Sequence, residues 1–471
     1  MTAQPDPLAF DRALGKARPL RHRLHSLFGL KLSLFLAFVC ATGTVATVSH
    51  EIEWLLMPQV RASPTPAEPD WGAMWTAVRR AHPDAWVHGL ESYDRSDVSY
   101  FAKAVPLTMA DGSSRTVLMD PGSNRVSGSL PRIPFHSFMR GLHYYLFTPG
   151  DWGFFAVTAL SFALAGSLVT GLLVYKRFWK GLGRRPRFER SARTWLGDVH
   201  RLSALWTLPF VLLIAATGIW YFVERIAPDW ETPMPRAAAL RTVPDGPTVA
   251  RWAAAASAAM PGLRITAISL PWADGDPVIV QGKWRAWLVR ERTDAAFIDP
   301  VSGRLLGVRA GHRLGAIERW GHTADPLHFG NFAGLAGKLA WVVFGLGLTL
   351  LAATGALVHG KRLAGHRDGG TWTSWRRSLG WAFVPSLALI LAIPAWFFLS
   401  GWNNGAQEPM RAVASIETTR LWRDGDRWCA AAGGRSQMQF VLASGRRVPA
   451  AFEAGRFCAD LPPGARLIKI N

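Results

Sequence analysis

The sequence predicts a membrane α-helical fold: duplicated transmembrane helix pairs, each with a small α+β periplasmic insertion, plus a fifth transmembrane helix and a small periplasmic C-terminal domain. Three observations predict it. Five apolar runs are long enough to cross a bilayer, a histidine-to-glycine spacing occurs twice, and basic residues gather at alternate helix ends.

The chain is 49% hydrophobic and holds 23 Trp among 471 residues, too apolar and aromatic for an ordinary soluble enzyme. The apolarity is concentrated in transmembrane helices expected at 27–49, 152–175, 202–223, 334–358 and 379–400, each near the ~20 residues that span hydrocarbon. Lys31 and Lys338 lie near span ends, where their ammonium groups can snorkel. No small-residue cleavage site follows the first run, which therefore reads as a retained helix and not a signal peptide.

A net charge of +20 would suit a nucleic-acid partner if it covered a soluble domain, but its placement argues otherwise. Arg12, Lys16, Arg18, Arg21 and Arg23 precede the first span; Lys176 to Arg193 and Lys361 to Arg377 supply two more basic segments. The positive-inside rule then places 1–26, 176–201 and 359–378 in the cytoplasm and calls for membrane lipid, not nucleic acid. It exports 50–151, 224–333 and 401–471. That charge pattern sets the N-terminus in the cytoplasm and the C-terminus in the periplasm. Cys40 falls in the first span, whereas Cys429 and Cys458 share the exported tail, placed either for a disulfide or as two separate thiols.

The repeated spacing carries the chemistry. His25 precedes Thr42-Gly43 and His200 precedes Thr217-Gly218, both by 18 residues to the glycine; His143 lies 28 before Gly171 and His328 lies 27 before Gly355. Eighteen helical residues cover roughly 27 Å, so each spacing sets a histidine at one membrane face and a glycine at the other. Neutral imidazole ligates haem iron, and two axial nitrogens favour electron transfer over oxygen binding. The candidate axial ligands are His25 with His200 on the cytoplasmic side and His143 with His328 on the periplasmic side. His22 and His359 compete in the first layer, a mixed His200–His359 pair included, and His50, His136 and His322 lie near the second. His50 and His359 break the repeat, standing opposite Arg225 and Tyr175. Any one of these histidines alone reads as an interfacial anchor; duplicated at matching positions, they read as ligands.

The glycines of LAGSLVTG and FGLGLTLLAATG fit close helix packing or the approach of a planar macrocycle. Trp54, Trp71, Trp152, Trp220, Trp230 and Trp341 read as interfacial belt residues. Arg140, Arg225, Arg313 and Arg319 are candidates for propionate pairing or headgroup anchoring. The two exported insertions repeat as well: a helical stretch is followed by β-like runs closing in VLMDPGSNRVSGSL in one and AAFIDPVSGRLLG in the other. No nucleotide or flavin motif is visible, and the sequence names no catalytic side chain.

The Thr-Gly end of the first helix, the hairpin Asp299-Pro300-Val301-Ser302-Gly303, the His-Arg before the third span and Leu327-His328-Phe329-Gly330 together resemble the PepSY-associated transmembrane family of iron-regulated inner-membrane proteins. The resemblance covers about 15–365. It implies a four-helix membrane core, PepSY-like domains at 50–151 and 224–333, two b-type haems, and ferric-siderophore reductase activity that releases Fe(II). The electron donor would be a quinol or a cytoplasmic reductase. A non-enzymatic component of siderophore uptake, whose periplasmic domains bind a siderophore or a partner protein, is the alternative. The first hairpin departs from the pattern: Asp120-Pro121-Gly122-Ser123-Asn124 lacks the expected Thr-Gly or Ser-Gly step.

Overall fold

The computed structural model describes residues 20, 24–25 and 32–396, apart from 64–67, 95–98, 110–113, 149–150, 176–179, 181–182, 228–229, 241, 273–274 and 365–370, together with strand segments between 421 and 470. Its helices run in the order α1 (Ser33–Thr47), α2 (Ser49–Leu56), α3 (Trp71–Ala81), α4 (Phe135–Arg140), α5 (Trp152–Val174), α6 (Ala192–Trp206), α7 (Leu208–Ile226), α8 (Gly246–Ala259), α9 (Ala316–Phe329), α10 (Gly334–Ala364), α11 (Thr371–Leu379) and α12 (Phe383–Trp396). Two compact units result: 1–44, 152–223 and 342–395 form one, and 45–151, 224–341 and 396–471 the other.

Among the described residues, four helices are long and apolar enough to cross a membrane, over Trp152–Val174, Leu208–Ile226, Asn331–Lys361 and Trp372–Ile393. The first apolar run is not one straight span, because α1 and α2 meet at 52°. Val48 leaves helical torsions (φ −112°, ψ 15°), and Ser49 Oγ donates to the Ala46 carbonyl at 2.8 Å, competing with the backbone ladder. The run expected at 202–223 is divided at Thr207: Pro209 has no N–H to offer the preceding turn, so α6 ends and α7 begins there. Within this unit small residues close the helix contacts. A side chain on Gly218 would strike Ser161, on Gly345 would strike Thr44, and on Gly347 would strike Thr207.

The other unit is built on a sheet that composition alone does not announce. Its strands are β1 (Trp86–Val87), β2 (Gly89–Ser92), β3 (Lys103–Thr108), β4 (Ser114–Asp120), β5 (Arg125–Ser129), β6 (Arg264–Ser269), β7 (Val278–Lys283), β8 (Asp294–Ile298) and β9 (Leu305–Arg309). They form one nine-stranded sheet in the order β5-β4-β3-β2-β6-β7-β8-β9, with β1 beside β3. The order mirrors itself about an antiparallel seam in which Leu90 faces Ile268. The two insertions expected as separate α+β pieces therefore share one sheet.

They also share one core. Helices α3 and α8 start alike, with Asp70 and Asp245 accepting from the N–H groups of Ala73 and Thr248 at 2.9 and 2.8 Å. They approach closely where Gly72 lies against Gly246. Trp75, Met74, Trp252 and Met260 are fully buried between the helices and the sheet, and Trp75 Nε1 donates to the Pro244 carbonyl at 2.8 Å. Trp71, expected at the membrane interface, is instead in this core at 4% exposure. Lys338 does not snorkel: it is buried and paired with Glu51 of α2 at 2.6 Å, a partner presented by the bend at Val48.

The hairpin aspartates act as equivalent clasps. Asp120 accepts from the N–H of Ser63 (2.8 Å) and the hydroxyl of Ser123, and Asp299 accepts from the N–H groups of Ala238 (2.9 Å) and Ser302 (2.8 Å). Each ties its turn to the incoming chain. The departure in the first hairpin is resolved by Asn124, which takes the left-handed position (φ 54°) held by Gly303 (φ 71°) in the second; asparagine is among the residues that tolerate it.

In the tail, β10 (Leu421–Asp424), β11 (Arg427–Ala431), β12 (Gln439–Leu442), β13 (Arg447–Pro449), β14 (Ala451–Glu453), β15 (Arg456–Asp460) and β16 (Leu467–Ile470) form sheets of four and three strands. Cys429 and Cys458 stand opposite each other on β11 and β15 and are joined by a disulfide.

Two outcomes follow for the sheet unit. Trp75→Ala removes a buried indole and the Pro244 hydrogen bond, and is expected to cost about 3–5 kcal/mol, read as an earlier thermal loss of β-structure in the purified chain. Asp299 is held down to about 2, chiefly by the Ala238 N–H and then by Ser302. Its unfolded value is about 3.9, so it contributes stability above about pH 4 that is lost as the pH falls through about 2. Asp299→Asn is expected to flatten the acid-unfolding curve across that window.

Candidate functional site

The sequence-predicted histidines fall into two layers, one in each unit. In the helical unit His25 and His200 are close enough for charge on one to oppose charge on the other. Each is moored in the same way. His25 Nδ1 meets the Ser167 carbonyl and Thr170 Oγ1, both at 3.2 Å, and His200 Nδ1 meets the Leu351 carbonyl at 3.1 Å and Thr354 Oγ1 at 3.2 Å.

These contacts fix the tautomer. Thr170 and Thr354 already give their hydroxyl protons to the carbonyls of Gly166 (2.6 Å) and Leu350 (2.7 Å), one helical turn back. Toward the imidazole each threonine oxygen can only accept, as the main-chain carbonyl can. Nδ1 must therefore carry the proton, which leaves the lone pair on Nε2. A carbonyl behind Nδ1 is the arrangement that orients a metal-ligating imidazole and raises its basicity.

Glycine makes the mooring possible. A Cβ on Gly171 would sit 3.3 Å from His25 Cε1, and one on Gly355 would sit 3.1 Å from His200 Cε1, both tighter than ordinary contact. The two histidine-to-glycine spacings thus interlock. The histidine that opens one spacing docks on the Thr-Gly pair that closes the other, within the same half of the chain.

In the sheet unit His143 and His328 also interact electrostatically, and burial first, then His143, pushes the His328 imidazole down to about 3, keeping it neutral. His143 occupies a π-turn, Gly141–Tyr145, that continues α4 and ends on Leu146 and Phe147, both left-handed at φ 51°. Such turns are enriched at functional sites. His328 stands near the end of α9, which closes on left-handed Gly330 against the Trp341 ring.

The alternates are arranged differently. His136 is committed to protein at both nitrogens: Nδ1 lies 2.8 Å from Glu53 Oε2, and Nε2 lies 3.1 Å from Ser137 Oγ. His50 stacks on it with ring centroids 4.5 Å apart. His322 is fully buried under the Trp230 ring, neither ring nitrogen has a hydrogen-bond partner among the described residues, and burial with four nearby arginines pushes it down to about 3. His359 is half-buried on α10, one turn beyond Gly355. His22 lies outside the described residues.

Of the arginines considered for anionic groups, Arg225 is engaged by Asp151 (Nε–Oδ2 3.0 Å), Arg140 lies 5.6 Å from the Tyr144 ring, and Arg319 donates to the Gly311 carbonyl at 2.7 Å. Among the described residues no group of three or more His, Cys, Asp or Glu side chains could hold a bare metal ion. A pair of imidazoles with Nδ1 anchored is the donor set suited to a group that brings its own equatorial nitrogens, and in that respect the residues fit haem. Sequence reasoning found the histidines but not Thr170, Thr354, Glu53 or Tyr93. The Thr-Gly dipeptides at 170–171 and 354–355 carried the signal for the first two.

These features define a membrane protein whose long helices clasp paired histidines and whose extramembrane strands form a single two-part sheet. The chain belongs to the PepSY-associated TM region family, whose model matches residues 22–362. It is similar to the uncharacterized protein PA4219 of Pseudomonas aeruginosa, 28% identical over 287 residues that cover 55% of this chain and 72% of the relative.

Proposed function

We propose that this protein is an inner-membrane b-type haem protein that delivers electrons to a periplasmic ferric siderophore and releases Fe(II) during iron uptake. The observation that carries the reading is the matched mooring of His25 and His200, which presents two Nε2 lone pairs from two repeats of one motif. His143 and His328 would hold a second haem. Bis-imidazole haems supply one-electron transfer with no open iron position.

The chain's own residues orient the ligands, and burial disfavours the charged form of His328. Basic segments at 176–193 and 361–377 support a cytoplasmic placement of those loops, and the Cys429–Cys458 disulfide supports a periplasmic tail. The nine-stranded sheet is then the face large enough to dock a siderophore. Electrons from the cytoplasmic side would come from a quinol or a partner reductase, and reduction weakens the grip of hard oxygen donors on iron.

Purified protein is expected to be red, and after reduction to be reoxidised by a ferric siderophore with Fe(II) trapped by a ferrous chelator. A colourless sample from haem-replete cells would instead favour a siderophore- or partner-binding component. His25→Ala, His200→Ala or Gly355→Leu is expected to remove one haem per chain, and His143→Ala or His328→Ala the other, measured as pyridine haemochrome. Full haem in all of them would overturn the ligand assignment. An alkaline phosphatase fused after Asn471 is expected to be active; activity of a cytoplasmic reporter there would reverse the topology.

A further inference from the structure

We infer that His136 is a proton donor to the departing siderophore oxygens, positioned by Glu53 and Tyr93; this rests on the reductase reading above. The chemistry asks for such a group. One electron from the reduced protein converts the bound Fe(III) to Fe(II). Each anionic oxygen that then leaves the iron, one per hydroxamate or phenolate and two per catecholate, takes up one proton, so the products are Fe(II) and protonated ligand. The proton on His136 is replenished from water.

Geometry singles out this ring. Glu53, on α2, is 1% exposed, yet its carboxylate accepts three hydrogen bonds. These come from the Tyr93 hydroxyl, the His136 main-chain N–H at 3.1 Å and His136 Nδ1 at 2.8 Å. The carboxylate can only accept, so Nδ1 keeps its proton whatever the state of the ring. The Nε2 side differs, because Ser137 Oγ at 3.1 Å is a hydroxyl that can donate to a bare nitrogen or, after rotation, accept from a protonated one. Nε2 therefore has a hydrogen-bond partner in either role, as acceptor or as donor. The side chain of His136 is 21% exposed, which gives that proton a route to solvent, and His50 covers the ring face at 4.5 Å.

Position points the same way. His136 precedes His143 by seven residues on one continuous α-to-π rod, two helical turns and so roughly 10 Å away. Among the described residues, the other half of the sheet unit shows no histidine hydrogen-bonded in this way. Arg225 replaces His50, and its buried histidine, His322, has no hydrogen-bond partner at either ring nitrogen among the described residues. Among the described residues, the carboxylate–imidazole–hydroxyl arrangement beside a histidine layer belongs to the first half.

The test compares two acceptors on the full-length haem-loaded protein: a ferric tris-hydroxamate, which must be protonated to release iron, and ferricyanide, which keeps its ligands and needs no proton. His136→Gln is expected to slow Fe(II) release from the hydroxamate on the order of 100-fold, to abolish its solvent-deuterium effect, and to leave ferricyanide reduction and the Soret spectrum unchanged. Glu53→Gln, which keeps the shape, is expected to act in the same direction, and Glu53→Asp to restore part of the rate. A second readout needs no turnover. Imidazole ¹⁵N spectra of the haem-free full chain are expected to contain one ring whose Nδ1 stays protonated while Nε2 exchanges, and to lose it in His136→Gln. Equal slowing of both acceptors, or an unchanged hydroxamate rate in His136→Gln, would overturn the assignment. Wild-type protein that reduces ferricyanide but no ferric hydroxamate would overturn the reductase reading itself.

Discussion

An imidazole placed among apolar helices must satisfy its N–H, because an unpaired donor there costs several kcal/mol. Much of the helical unit can be understood from that requirement. The donor is met by a carbonyl that an α-helix has already committed to its own ladder, reached only because glycine leaves the helix surface bare and threonine supplies a second acceptor. His25 on Gly171 and His200 on Gly355 are two instances of one solution. The same bonds that satisfy Nδ1 also fix the tautomer and the orientation of each ring, so the packing of the helix pair and the setting of its imidazoles depend on one contact.

The sheet unit solves a different problem. A four- or five-stranded insertion anchored at both ends to membrane helices has an exposed edge and a small core. Pairing β2 with β6 hides one edge of each half, and crossing α3 over α8 at Gly72 and Gly246 merges two marginal cores around Trp75 and Trp252. The halves then diverge in their buried polar groups. Glu53, His136 and Tyr93 form a hydrogen-bonded network in the first, whereas in the second Arg290 gathers Glu224 and Asp325 beside a buried His322.

Much of this was legible in the sequence. Length and hydropathy located the apolar runs, and the fixed distances from His25 and His200 to glycine picked out the histidines. What stayed hidden has physical reasons. The bend at Val48 is accompanied by a serine hydroxyl bond that hydropathy does not register, so α2 and its Glu51–Lys338 pair are not legible in the sequence. Trp71 was assigned to the interface because tryptophans cluster there, but an amphipathic helix start can bury the same side chain in a core. The seam joins strands far apart in the chain, and alternation within each strand says nothing about its neighbour. The interlock of the two spacings was invisible for a related reason: spacing along one helix measures depth, not which helix stands alongside.

The seam also sets a schedule for synthesis. Leu90 and Ile268 are about 180 positions apart, so at 5–20 residues per second β2 is made roughly 10–35 s before its partner exists. Through that interval the first half carries an open strand edge beside a half-built core, the kind of surface on which chains cross-pair. Residues on that edge are therefore under two demands at once: to bond β6 in the finished molecule, and to resist every other strand until β6 emerges. Gly89, whose backbone passes too close to Ile268 for any side chain, and charged Glu91 are the edge positions where those demands meet.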